Sequence, residues 1–145
     1  MDSAFLKSSI LFSDLLADLS TTYHDACVKL GLSDSSANIL YTLYCMDGDL
    51  PLNDLCHYCG LKRQTINSAL RSLEKENVIF SRQIDGKSKR ILLTEEGQKL
   101  CDRTVRRLVE IENDIYSRWP REDVEQYLRL TQTYLGQLKE KVAEL

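Results

Sequence analysis

NDLCHYCGLKRQTINSALRSLEKENVIFSRQIDGKSKRILLT, residues 53–94, is the stretch whose pattern decides the architecture. Asn53 has the side chain of an N-cap, and a short helix is expected from Asp54 to Cys59, stopped by Gly60. After a turn through Leu61 and Lys62, a second helix is expected over 63–76, with Ile66, Ala69, Leu70 and Leu73 recurring on its inner side. Val78-Ile79-Phe80 then starts a strand, Asp85-Gly86 signals a hairpin turn, and Arg90-Ile91-Leu92-Leu93 returns as the partner. Two short helices joined by a glycine-containing turn, the second exposing polar side chains, form a helix-turn-helix pattern. The basic two-stranded flap after it makes a winged helix.

Outward from this segment the chain reads as helix. Residues 4–30 place Phe5, Leu6, Ile10, Leu11, Leu15, Leu16, Leu19 and Tyr23 at steps of three and four, with no internal Gly or Pro. Gly31 stands where a helix end needs positive φ. Ser33 is the N-cap of the next helix, whose buried side is expected to include Ala37, Leu40, Tyr41 and Tyr44. Leu50-Pro51-Leu52 is extended because of its proline. On the other side, Thr94 caps a long helix with Leu100, Thr104, Leu108, Ile111 and Ile115 in line, and Trp119-Pro120 interrupts it before a final helix over 121–143. The fold class is mainly α with a small β-wing: a dimerisation helix over 1–32, a winged helix-turn-helix domain over 33–94, and a long helix plus a C-terminal dimerisation helix over 95–145. The first helix has more large apolar groups than a small domain covers, so a second subunit is expected against it.

The net charge of −3 conceals an uneven distribution. Residues 1–59 hold two basic against eight acidic side chains, residues 60–93 eight against three, and residues 94–145 nine against eleven. A +5 block inside an acidic chain is the electrostatic footprint of a polyanion-facing surface. No apolar run approaches 18 residues, so neither a membrane span nor a secretory leader is expected, and a cytoplasmic location follows. Five cysteines without the spacing of a disulfide framework are expected to be reduced thiols. There is no nucleophile elbow, phosphate-binding glycine loop or paired carboxylate arrangement, and only His24 and His57 could serve as near-neutral bases, so no enzyme is expected.

Burial of Ile66, Leu70 and Leu73 leaves Arg63, Gln64, Asn67, Ser68 and Arg71 outside. Gln and Asn pair with adenine edges, Arg with guanine, and Ser with bases or phosphate; Thr65, near the helix start, is placed for phosphate. Lys87, Lys89 and Arg90 on the hairpin are suited to the minor groove or flanking backbone, supplying affinity more than sequence choice. The expected partner is double-stranded DNA. A second reading keeps the winged scaffold as a protein-interaction module without DNA binding, motivated by the overall acidity and by Lys87. Glu74 and Glu76 either face away from DNA or pair with Lys75 and Arg71.

The segment Leu55 to Ile66, the run Leu73-Glu74-Lys75-Glu76-Asn77-Val78-Ile79, and above all the wing exit Asp85 to Gly97 resemble the MarR family of winged helix regulators. The wing exit carries that family's Leu-Thr-x-x-Gly signature at Leu93, Thr94 and Gly97. The resemblance implies a triangular homodimer with interlocked first and last helices, a pseudo-palindromic operator, and repression released by a small aromatic effector or by thiol oxidation. Three positions depart from the family pattern. Lys87 replaces the usual wing arginine, keeping the charge but losing the planar fork. Asn77 replaces the glycine that ends the recognition helix, and asparagine is the next best residue for the left-handed conformation. Ser68 stands where an arginine is frequent.

Tyr23, His24, Tyr41 and Tyr44 are candidates for an effector crevice, although tyrosine also fills helical interfaces with its hydroxyl at the edge. Cys27, Cys45 and Cys101 are candidates for a thiol switch. Cys56 and Cys59 form a Cys-x-x-Cys pair around His57, but the resemblance places a small core alanine at the first position and an apolar core residue at the second, so burial as small hydrophobes is expected, and no second ligand pair stands nearby. No metal and no cofactor are expected.

Overall fold

The computed structural model describes residues 3–145. In chain order the elements are α1 (Ser3–Leu30), α2 (Asp34–Cys45), β1 (Asp49–Pro51), α3 (Leu52–Cys59), α4 (Arg63–Lys75), β2 (Ile79–Gln83), β3 (Lys89–Leu93), α5 (Glu95–Arg103), α6 (Val105–Ser117) and α7 (Arg121–Val142). The chain divides into two compact units between Leu108 and Val109. No helix of the described residues is long and apolar enough to cross a membrane.

In the first unit the core gathers on α2. Ile39, Leu40 and Leu43 are fully buried there, together with Leu55 of α3, Ile66 of α4, Ile79 of β2, Ile91 of β3 and Cys101 of α5. The expected inner face of α2 was too narrow: Ile39, Thr42 and Leu43 are buried besides Ala37 and Leu40, while Tyr41 and Tyr44 are half-buried at its edge. Such burial on several sides makes α2 a central helix with other elements packed around it. Ser33 caps it, its hydroxyl accepting from the Ser36 N–H at 3.2 Å, and Gly31 takes φ +71° at the end of α1.

The sheet has three strands in the order β1-β3-β2, both pairs antiparallel. The two-stranded wing expected from sequence is therefore incomplete. Asp49-Leu50-Pro51 pairs with Leu92-Ile91-Arg90 across a long stretch of chain, a proline-ended edge strand whose three residues are too few to register as a strand alone. Pairing through Pro51 also moves the start of α3 to Leu52, so Asn53 is inside the helix and not its N-cap.

The hairpin turn differs from the expected form as well. An Asp-Gly pair in a tight two-residue turn needs positive φ at both positions, and neither Asp85 nor Gly86 has it. The tip is wider, closed by the Ile84 N–H donating to the Ser88 carbonyl at 3.0 Å.

The wing exit explains its own sequence. The Thr94 hydroxyl accepts from the Gly97 N–H at 2.9 Å, capping α5, and donates to the Asn77 carbonyl at 2.6 Å. Asn77 itself is left-handed, φ +59°, at the turn from α4 into β2. A Cβ at Gly97 would lie 1.9 Å from the Val78 carbonyl oxygen, so only glycine lets α5 approach that turn.

The long helix expected after Thr94 is broken at Thr104, φ −124° and ψ −92°. The Thr104 hydroxyl donates back to the Leu100 carbonyl, a bond that competes with the helical ladder. The break lets Thr104 and Val105, adjacent in sequence, both be buried. In the second unit, Trp119 meets the edges of Tyr116 and Tyr127 with ring centroids 5.8 and 5.7 Å away, forming the corner between α6 and α7.

Candidate nucleic-acid interface

Helix α4 buries Ile66, Ala69, Leu70 and Leu73 and exposes Arg63, Gln64, Thr65, Ser68 and Arg71, with Asn67 half-buried. Gln64, Ser68 and Arg71 lie at steps of four and three, so with Asn67 they form one polar row along the outer face. Lys62 precedes the helix without a side-chain cap. The first backbone N–H groups of α4 thus have no intrahelical acceptor, an arrangement that suits a phosphate oxygen. The Arg63 guanidinium donates to the Asn53 side-chain oxygen at 3.1 Å, tying the start of α4 to α3.

The sheet register separates the three wing cations expected to act together. Side chains alternate along a strand. Lys89, paired with Gln83, lies on the α4 side and borders a cleft of about 200 Å³ with Asn67, Leu70, Arg71, Glu74 and Ser81. Arg90 lies on the opposite face, where its Nε donates to Asp49 Oδ1 at 2.7 Å across the β1–β3 pair. Lys87 stands on the tip, exposed. The tip is held by Asp85, whose Oδ1 accepts from the backbone N–H groups of Lys87 at 2.9 Å and Ser88 at 2.8 Å. Those two N–H bonds hold the Asp85 carboxyl below its usual range.

Glu74, exposed, pairs with neither Lys75 nor Arg71. Its carboxylate accepts a hydrogen bond from the Ser81 hydroxyl, joining α4 to β2 beside the cleft that both residues line. Arg82 was missed by sequence reasoning, although it belongs to the basic block. It lies on the outer face of β2 with its guanidinium 5.9 Å from the centre of the Phe80 ring.

The other candidate residues are dispersed. His24 Nδ1 is 2.9 Å from both carboxylate oxygens of Asp34, linking the last part of α1 to the first turn of α2. Tyr23 is exposed on α1, while Tyr41 and Tyr44 pack against the core. None of the five cysteines is in a disulfide. Cys27 and Cys101 are buried and Cys45 is exposed. Burial, and then the Asp34 carboxylate, pushes the Cys27 thiol up; burial, and then Asp102, pushes Cys101 up to about 12. Cys59 is buried 3.6 Å from the Thr42 hydroxyl, its thiol also raised by burial, whereas Cys56 is half-buried. Among the described residues no group of three or more His, Cys, Asp or Glu is placed to hold a metal ion.

A polar helix face beside a three-stranded wing, on a helical frame, is also the architecture of known regulators. AbsC, a MarR family transcriptional regulator from Streptomyces coelicolor, superposes with a TM-score of 0.78 over 97% of each chain at 13% identity. The chain has the MarR-family winged helix fold. MepR of S. aureus in its DNA-binding conformation matches this chain with a TM-score of 0.75 at 23% identity, covering 90% of this chain and 98% of MepR. NadR in complex with 4-hydroxyphenylacetate matches with a TM-score of 0.64 at 22% identity over 89% of each chain. No family model matches the sequence, and no curated protein matches it either.

Proposed function

We propose that the chain is a homodimeric, sequence-specific DNA-binding regulator of the MarR type, a repressor that leaves its operator when an effector binds. The observation that carries this reading is the polar row Gln64, Asn67, Ser68 and Arg71 on α4, set beside a cleft edged by Lys89 and a tip bearing Lys87. Side chains of these types read base edges from a helix in the major groove, while the wing cations and the uncapped start of α4 hold phosphates. MepR in its DNA-binding conformation has the same fold, which supports the assignment.

A homodimer accounts for the exposed apolar surface of two helices. On α1, Phe5, Ile10, Leu11 and Leu15 are each more than half exposed, and α7 buries none of its residues while carrying Leu128, Leu135 and Leu138 outward. Each of these faces is covered by a second copy, and the two recognition helices then meet a pseudo-palindromic operator. The effector is a small aromatic molecule received near Tyr41 and Tyr44, with Tyr23 and His24 on α1 beside the route by which α1 joins α2. NadR, bound to 4-hydroxyphenylacetate, offers the precedent within the fold. Oxidation is the weaker release mechanism for Cys27 and Cys101, because buried, raised thiols supply little of the thiolate that reacts.

The test is selection of duplexes from a random pool by the full chain, followed by binding titrations at several salt concentrations. A pseudo-palindromic product, with affinity falling steeply as salt rises, is the expected result. Absence of any enriched duplex at low salt would favour a protein-interaction module on the same scaffold. Titrating 4-hydroxyphenylacetate against the complex then probes release, and unchanged affinity would remove the aromatic effector.

A further inference from the structure

The tip of the wing carries an apolar side chain that neither the core nor the basic surface uses. Ile84 follows β2 directly and is 56% exposed. Alternation along β2 puts it on the same face as Phe80 and Arg82, opposite to the face on which Ser81 meets Glu74. The Arg82 guanidinium is placed over the Phe80 ring and not over Ile84. Isoleucine is also not a turn-forming residue.

Its backbone, in contrast, is firmly placed. The Ile84 N–H closes the tip on Ser88, Asp85 secures Lys87 and Ser88, and the Gln83 side chain donates to the Asp85 carbonyl. A β-branched side chain on a pinned backbone has few rotamers to lose on contact. Ile84 and Lys87 therefore share one small, preorganised projection that offers an apolar and a cationic side chain together.

We propose that Ile84 is a specificity-determining residue of the wing, an apolar wedge that favours A·T over G·C steps in the minor groove. The inference rests on the DNA-binding reading above and deepens it. In the minor groove an A·T pair presents only acceptors, whereas G·C adds the guanine N2 amino donor. Against an isoleucine side chain that donor loses its water and gains no acceptor, which is costly. Lysine at the tip is attracted to the narrow groove whichever base pair lies there, so Lys87 supplies affinity while Ile84 supplies choice.

The experiment uses the full chain and the duplex it selects from a random pool, with the flanking steps under the wing located by hydroxyl-radical footprinting. Those steps are then changed from A·T to G·C and to inosine·cytosine, which lacks the N2 amino group. The wild-type chain is expected to lose about tenfold in affinity on G·C and to recover it on inosine·cytosine. Ile84→Ser is expected to bind the A·T duplex more weakly, to discriminate less than twofold, and to keep the wild-type salt slope. Lys87→Ala is expected to lower that slope by about one while keeping the discrimination. Equal wild-type affinity for A·T and G·C, no recovery on inosine·cytosine, or undiminished discrimination by Ile84→Ser would each overturn the wedge while leaving DNA binding intact. A wild-type chain that enriches no duplex would overturn the DNA-binding reading and the wedge with it.

Discussion

Gly97 and Cys101, four residues apart on α5, are constrained by different physics. At Gly97 the constraint is space: the Val78 carbonyl lies 1.9 Å from where a Cβ would be, and that carbonyl is backbone held in the turn between α4 and β2. Gly97→Ala must push α5 off this turn, and a loss of about 3 kcal/mol or more in unfolding free energy is expected, read by urea denaturation. Cys101 is constrained by solvation, its thiol fully buried and pushed from 9.0 up to about 12. Below pH 9 both folded and unfolded chains keep that proton and the stabilisation is fully present. As pH rises towards the folded value the unfolded chain ionises first, and stability falls by about 1.4 kcal/mol per pH unit. Comparing wild type with Cys101→Ala between pH 8 and 10.5 isolates this contribution, and the variant should lack that component of the slope.

Among the elements, the wing departs furthest from its sequence pattern. Lys87, Lys89 and Arg90 are a single basic cluster in sequence, but the register of β3 sends Lys89 to the cleft under α4 and Arg90 to Asp49. Replacing Lys89 with alanine is expected to lower the salt slope of duplex binding by about one, as a lost phosphate contact does. Arg90→Ala is expected to change the slope much less and to lower the melting temperature by a few degrees, because it unties β1 from β3. Equal slopes for the two variants would show that the strand register does not separate their roles. The cap of α5 belongs to the same scale: Thr94→Ala removes the acceptor for the Gly97 N–H and the donor to Asn77, at a cost of about 1–2 kcal/mol by thermal or urea unfolding.

For the whole molecule, the exposed apolar faces of α1 and α7 set the expectation. Along α1, from Phe5 through Leu15, large apolar groups stay uncovered in a chain of otherwise ordinary composition. Stability shared with a second copy depends on protein concentration, so the melting temperature should rise as the chain is concentrated. Leu15→Glu in α1 is expected to shift the sedimentation profile from dimer to monomer and to weaken operator binding by more than tenfold, because two half-sites are no longer engaged together. A concentration-independent melting temperature, with one monomeric species for the wild type, would contradict the dimer.

Local chemistry was enough to place most of the elements. Helix periodicity, the caps Ser33 and Thr94, and the left-handed positions Gly31, Gly60 and Asn77 act within a few residues, so their signals stand in the sequence and recur in the structure. The polar row of α4 was legible for the same reason, since burying Ile66, Leu70 and Leu73 determines what remains outside. Other features depend on partners far along the chain. The β1 strand exists because Leu50 pairs with Ile91, Arg90 is occupied because the register sets Asp49 opposite Leu92, on Arg90's own face, and Glu74 is engaged because β2 brings Ser81 to it. The break at Thr104 likewise follows from burying two adjacent side chains in a core made elsewhere. Periodicity reports which side of an element is apolar; which residues meet across the fold follows from strand register and close packing, and neither is written in any local window.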